Sequence, residues 1–172
     1  MATALKVGVA GLGTVGAVLV AQVARQREAL AARCGRAIEI VAVCARSRKK
    51  ERGIDLKKMK WFADPVVLAR DPGIDVFVEL IGGAGNPAKG AVEAALASGK
   101  SVVTANKALL AGHGVKLAAL AESRHVALNF EAAVGAAMTP VFTSRIACCS
   151  EVASLCSTMA ATVPSADRKM RP

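Results

Sequence analysis

The chain has 172 residues, of which 53% are hydrophobic and 3% aromatic, and its formal charge is +10. That length holds one domain with a proper core rather than two full ones. No apolar run approaches the roughly 18 residues that a membrane-spanning helix needs. One Trp, four Phe and no Tyr leave the basic residues without the interleaved aromatic platforms that stack nucleic-acid bases.

In chain order, strand-like and helix-like patterns alternate. Leu5 to Ala10 is a short apolar strand, followed at once by Gly11-Leu12-Gly13-Thr14-Val15-Gly16. Ala17 to Arg33 reads as one helix, with Val18, Val20, Val23 and Leu30 apolar and Gln22, Arg25, Gln26 and Arg33 polar. Ile38 to Ala45 is β-branched and predicts a second strand. Between Arg46 and Lys60 come eight basic residues against two acids, Glu51 and Asp55. Asp64-Pro65 predicts a helix start, Asp as the cap and Pro in the first turn. Ile74 to Ile81 is a strong strand stopped by Gly82-Gly83. Pro87 to Ser98 is an Ala-rich helix closed by Gly99. Ser101 to Ala105 is a strand, Ala108 to Arg124 a helix with a break expected near Gly112-His113-Gly114, and Val126 to Phe130 a last strand.

Such alternation means an α/β fold of parallel strands joined by helical crossovers. It occupies residues 1–140. Past Pro140 the pattern dissolves into Ser, Thr, Ala and Cys, so 141–172 is expected to be the poorly ordered start of a truncated or altered further domain. Cys34, Cys44, Cys148, Cys149 and Cys156 match no zinc spacing, and their odd number argues against a secreted disulfide scaffold. Met1 to Lys6 is too short for a signal peptide, so the expected location is cytoplasmic. His113 and His125 read as ordinary surface residues.

The glycine segment carries chemistry. Gly11-x-Gly13-x-x-Gly16 between a first strand and its helix is the dinucleotide fingerprint in the context it requires. Gly11 permits the tight turn, Gly13 lets a diphosphate approach the backbone, and Gly16 brings helix and sheet together. The expected fold is therefore a Rossmann-like doubly wound parallel sheet, its phosphates held at a helix N-terminus. The second strand ends in Cys44-Ala45-Arg46-Ser47-Arg48-Lys49-Lys50, without the acid that would hold a ribose 2′-hydroxyl. A guanidinium there pairs with a 2′-phosphate instead. NADP is therefore preferred over NAD, with Arg46 first and Arg48 or Lys49 next. The plainer alternative is that these charges only solvate a flexible loop.

Three further blocks accompany the fingerprint: Val78-Glu79-Leu80-Ile81-Gly82-Gly83, Thr104-Ala105-Asn106-Lys107-Ala108-Leu109 and Phe130-Glu131-Ala132-Ala133-Val134. In order and spacing they resemble homoserine dehydrogenase over about residues 4 to 140. The resemblance implies an NAD(P)-dependent oxidoreductase that reduces aspartate semialdehyde to homoserine, on the route to threonine and methionine. It implies a cofactor site of Gly11, Gly13, Thr14, Val15, Gly16, Arg46, Gly82, Gly83, Thr104, Ala105 and Lys107. Lys107 is the implied catalytic residue; a cation at a helix start opposes the dipole by a few tenths to about one kcal/mol, which suits a lysine used on a reacting carbonyl. Asn106 reads as a helix cap. Glu131, with the carbonyls of Val134, Ala136 and Met138, is implied to hold a monovalent cation such as sodium; a cap or a salt bridge is the alternative for this carboxylate. The implied partner is the small-molecule substrate, with a homo-oligomer compatible and neither nucleic acid nor membrane expected. Other readings are a non-catalytic NADP-binding module or partner subunit, and an aldehyde dehydrogenase using Cys148 or Cys149 as nucleophile.

Overall fold

The computed structural model describes residues 3–130. Six strands form one sheet: β1 (Leu5–Ala10), β2 (Ile38–Cys44), β3 (Lys60–Phe62), β4 (Val76–Glu79), β5 (Ser101–Thr104) and β6 (Leu128–Phe130), in the order β3-β2-β1-β4-β5-β6. Every neighbouring pair is parallel. The helices are α1 (Thr14–Arg25), α2 (Arg27–Cys34), α3 (Pro65–Arg70), α4 (Ala88–Ala97) and α5 (Lys107–Ser123).

A strand covered on both faces must be apolar on both, and the side chains divide accordingly. Val7 and Val9, Val76 and Val78, and Val103 face a core that includes Leu19, Val20 and Val23 of α1 and Leu30 of α2. Ala10, Phe77 and Val102 face the opposite core, with Leu68 of α3, Leu96 of α4, and Leu109 and Leu117 of α5. In the β1–β2 pairing the register slips by one residue between Val7 and Gly8, so Gly8 pairs with Ala42. A Cβ on Gly8 would stand 2.8 Å from the tip of Ile74, so a larger residue there would oblige that side chain to shift.

Several expectations shift. The Ala17–Arg33 helix is two helices, broken at Gln26 with φ −102° and ψ 19°. Val23 and Leu30 stay seven residues apart and share one core, so their spacing gave no sign of the break. The α5 helix runs unbroken through Gly112 and Gly114. Each glycine costs up to about 1 kcal/mol against Ala in a helix interior, and burial of Leu109, Leu117 and Ala121 along the same helix offsets it. Asp64 caps α3 as expected, accepting from the Val66 N–H at 2.7 Å. Gly99 follows α4 with φ +72°, the left-handed closure predicted for it. Among the described residues no helix is long and apolar enough to cross a membrane.

The basic segment ends in β3, which the sequence reading placed in a loop. Parallel strands usually need a helix to connect them; here residues 45–59 make the crossover without one. Ile54, Leu56, Met59 and Trp61 recur among the lysines and arginines and pack against the α1–α2 core. β3 is held at its start by Lys60, whose ammonium lies 2.9 Å from the Asp71 carboxylate. The Gly73 N–H donates to the same carboxylate at 3.0 Å. That N–H first, then Lys60, holds the Asp71 carboxyl below its usual range. A lowered native pKa means stability that is present above the ordinary aspartate value and is lost as pH falls through Asp71's own. Replacing Asp71→Asn should cost about 1 kcal/mol at neutral pH. In urea titrations that difference should shrink steadily below about pH 4; a gap that is independent of pH would show that the charge is not what stabilises this corner.

Candidate functional site

In a parallel sheet of this order the connections diverge between β1 and β4, and the crevice at the strands' carboxyl ends is where ligands sit. The turn after β1 is built from glycines for steric reasons that are visible here. Gly11 has φ +102°, and a Cβ on it would lie 2.4 Å from the Leu80 carbonyl oxygen. A Cβ on Gly16 would lie 1.9 Å from the carbonyl oxygen of Gly11. Gly13 differs from both: nothing stands within 4 Å of the Cβ it lacks. It is the N-cap of α1, without a side-chain cap and without an acid in the first turn. The first N–H groups of that helix, at Thr14, Val15 and Gly16, have no intrahelical acceptor, and the turn is exposed at Gly13 and Thr14, with the positive end of the helix dipole behind it. A diphosphate fits that corner.

Arg46 stands two residues past the end of β2 and is exposed, as are Arg48 and Lys49. The loop that carries them is organised by Arg52, which the sequence reading did not single out. Its Nη2 donates to the Ser47 carbonyl at 2.7 Å, its Nη1 to the Lys50 carbonyl at 2.7 Å, and its Nε to the Leu12 carbonyl at 3.0 Å. The guanidinium also lies 5.9 Å from the centre of the Trp61 ring. One side chain thus folds the basic segment and ties it to the glycine turn. Nothing marks Arg52 among the eight cations of this segment, because its partners are main-chain carbonyls. Within this loop, residues 48–56 line a hollow of about 610 Å³.

Across the crevice, Gly82 and Gly83 turn the chain away from β4 with φ +83° and +84°. Glu79, the last residue of β4, is fully buried. One of its oxygens accepts from the Ile81 N–H at 2.7 Å and the Gly82 N–H at 3.0 Å. The other accepts from the Thr104 hydroxyl. Thr104 is itself 1% exposed, so its side chain faces Glu79, with half-buried Ala105 after it. The Thr104 oxygen accepts from the Asn106 N–H at 3.1 Å. Asn106 caps α5 by accepting from the Leu109 N–H at 3.1 Å and donates to the Gly83 carbonyl at 2.7 Å. Lys107 is the first residue of α5 and is exposed at the same edge. The clue to Glu79 was an acid closing an otherwise apolar strand, just before two glycines.

Cys44 ends β2, and burial, with Asp64 second, pushes its thiol up to about 11. It stays protonated and unreactive near neutral pH. Glu131, Val134, Ala136 and Met138, and with them Cys148, Cys149 and the segment 141–172, lie outside the described residues.

A bare helix start facing a glycine turn, at the place where a parallel sheet's connections part, defines a nicotinamide-dinucleotide-binding domain of the doubly wound class. Residues 11–131 match the family described as "Homoserine dehydrogenase, NAD binding domain". The chain belongs to that family. It is 43% identical over 130 residues to homoserine dehydrogenase of Neisseria gonorrhoeae, which covers 76% of this chain and 29% of that protein. Identity to the Pseudomonas aeruginosa homoserine dehydrogenase is 44% over 130 residues, with the same coverage. Among solved structures, the homoserine dehydrogenase of Thiobacillus denitrificans superposes with a TM-score of 0.70 at 39% identity, over 76% of this chain and 30% of that one. That of S. aureus at pH 6.5 gives 0.68 at 34% identity, over 77% and 33%. The chain thus spans about 29% of the length of the curated relatives it matches.

If Arg52 folds the basic loop, Arg52→Ala and Arg52→Lys should both expose it, since a lysine keeps the charge but lacks the planar fork. Limited trypsin digestion should cut within residues 46–60 about ten-fold faster in either variant. Protection retained by Arg52→Lys would mean that charge alone holds the loop.

Proposed function

We propose that this chain supplies the coenzyme-holding share of a homoserine dehydrogenase, the NAD(P)H-dependent reduction of aspartate semialdehyde to homoserine, and that its preferred coenzyme is NADPH. The observation that carries the reading is the corner at Gly13, open to solvent where both flanking glycines are sterically closed. The main chain of Gly11, Gly13, Thr14, Val15 and Gly16 holds the diphosphate. Arg46 pairs with the 2′-phosphate, and the lack of an acid at the end of β2 removes the partner that a bare ribose would prefer. Gly82, Gly83, Thr104 and Ala105 form the opposite wall, beneath the ribose and nicotinamide.

When bound, the reduced nicotinamide supplies a hydride. Lys107, at the open end of α5, holds a proton at Nζ for the carbonyl oxygen of the aldehyde. Glu131 and the carbonyls of Val134, Ala136 and Met138 belong to the same reading as a monovalent-cation site, and the chain acts in the cytoplasm on a small molecule. Dinucleotide binding without turnover is the second reading.

Titration of the chain with NADPH and NADH, followed by an assay with homoserine and NADP, tests these points. NADPH should bind the more tightly, and hydride transfer by the chain alone would select the first reading over the second. Arg46→Asp should weaken NADPH far more than NADH; equal losses would defeat the 2′-phosphate assignment. Gly13→Ala should cost the fold no more than about 1 kcal/mol yet cut NADPH affinity sharply, because its methyl enters the diphosphate's space. Gly16→Ala should instead lower the melting temperature severely. Full NADPH affinity in Gly13→Ala would place the diphosphate elsewhere.

A further inference from the structure

Glu79 is the most deeply buried ionisable side chain among the described residues, and nothing in the proposed chemistry uses it directly. Its place in the sheet is central. It pairs in register with Ala10, one residue before the glycine turn, and with Thr104 on the other side. A carboxylate so placed must be fully hydrogen-bonded to be tolerated, and its partners are informative. The Leu80 N–H still bonds to the Ala10 carbonyl, and the next two main-chain N–H groups, of Ile81 and Gly82, donate to Glu79 instead. Thr104 donates from the next strand, accepts from Asn106, and Asn106 returns to the Gly83 carbonyl. The result is a closed ring, from Glu79 through Gly82 and Gly83 to Asn106 and Thr104 and back. The ring joins two loops that share no strand: the turn at Gly82-Gly83 and the start of the helix that carries Lys107.

We infer that Glu79 is a positioning residue for the nicotinamide side of the site, fixing the Gly82-Gly83 turn and the Lys107 helix start relative to each other. The inference rests on the dinucleotide reading above and adds a division of labour to it. The diphosphate corner depends on Gly11 to Gly16, which lie outside the ring. The opposite wall depends on one buried carboxylate that itself touches no coenzyme.

Glu79→Gln tests this with little change of shape. The amide oxygen keeps the Ile81 and Gly82 donors, but its NH₂ faces the Thr104 hydroxyl, whose hydrogen then has no acceptor. The amide can donate back to the Thr104 oxygen, so this link reverses and leaves a buried hydroxyl proton unpaired, which weakens the ring at that point. Calorimetric titration should show NADPH binding weakened about ten-fold, while adenosine 2′,5′-bisphosphate, which lacks the nicotinamide half, binds within about two-fold of wild type. Thr104→Val should behave alike, and the double variant should be no worse than either single one, as expected of a shared network. In the ligand-free chain, amide exchange at Asn106 and Leu109 should accelerate in Glu79→Gln while Val7 and Val9 of β1 keep their protection. Equal losses for both ligands, or exchange raised uniformly through the sheet, would reduce Glu79 to general stability and overturn the inference. Unchanged NADPH affinity together with unchanged exchange would overturn it as well. A wild-type chain that binds neither ligand would instead sink the dinucleotide reading itself, and the positioning role with it.

Discussion

The approach of Gly16 to the carbonyl of Gly11 is the contact on which the rest of this domain depends. No side chain fits between them, since a single Cβ would sit 1.9 Å from that oxygen. The first helix can therefore start against the end of β1 and lay Leu19, Val20 and Val23 onto the sheet. Gly11 in turn lies against the Leu80 carbonyl, just past the end of β4. One cluster of bare backbone thus sets both the packing of the first crossover and the shape of the crevice. Binding and folding share these atoms, and Gly13 alone in the turn is free of the packing demand.

The two walls of the crevice are stiffened by opposite means. On the glycine-turn side, a cation reaches outward from a loop and collects main-chain carbonyls of Ser47, Lys50 and Leu12. On the other side, a buried anion collects main-chain N–H groups of Ile81 and Gly82. Both satisfy backbone groups that strands and helices leave unpaired where the chain turns. Arg52 does so at the surface, half-exposed. Glu79 does so in the interior, where every acceptor position must be matched.

Much of this was legible from the residues. Strands read as Val-rich runs because both their faces are covered, and Asp64 and Asn106 read as caps because an acceptor side chain stands one position before a helical pattern. The fingerprint was readable because glycine is the only residue that meets its steric demands. Other features left no trace in periodicity. The interruption at Gln26 preserves the apolar phase on either side of it. β3 is only three residues long and is preceded by cations rather than by a helix. Gly112 and Gly114 look like a break, yet the packing on either side of them carries α5 through. Arg52 acts on main-chain carbonyls, which have no signature in a sequence, and Glu79 showed there only as an acid closing an apolar strand.

The crossover made by residues 45–59 has one more consequence. It crowds like charges into a segment held by one guanidinium and a few apolar side chains, so it repels itself most when counterions are scarce. The same crowding draws a polyanion toward the crevice from a distance and speeds its arrival. Added electrolyte relaxes the internal repulsion and blunts the long-range pull together. Ionic strength therefore acts on this domain in two opposed senses: it steadies the loop while slowing capture.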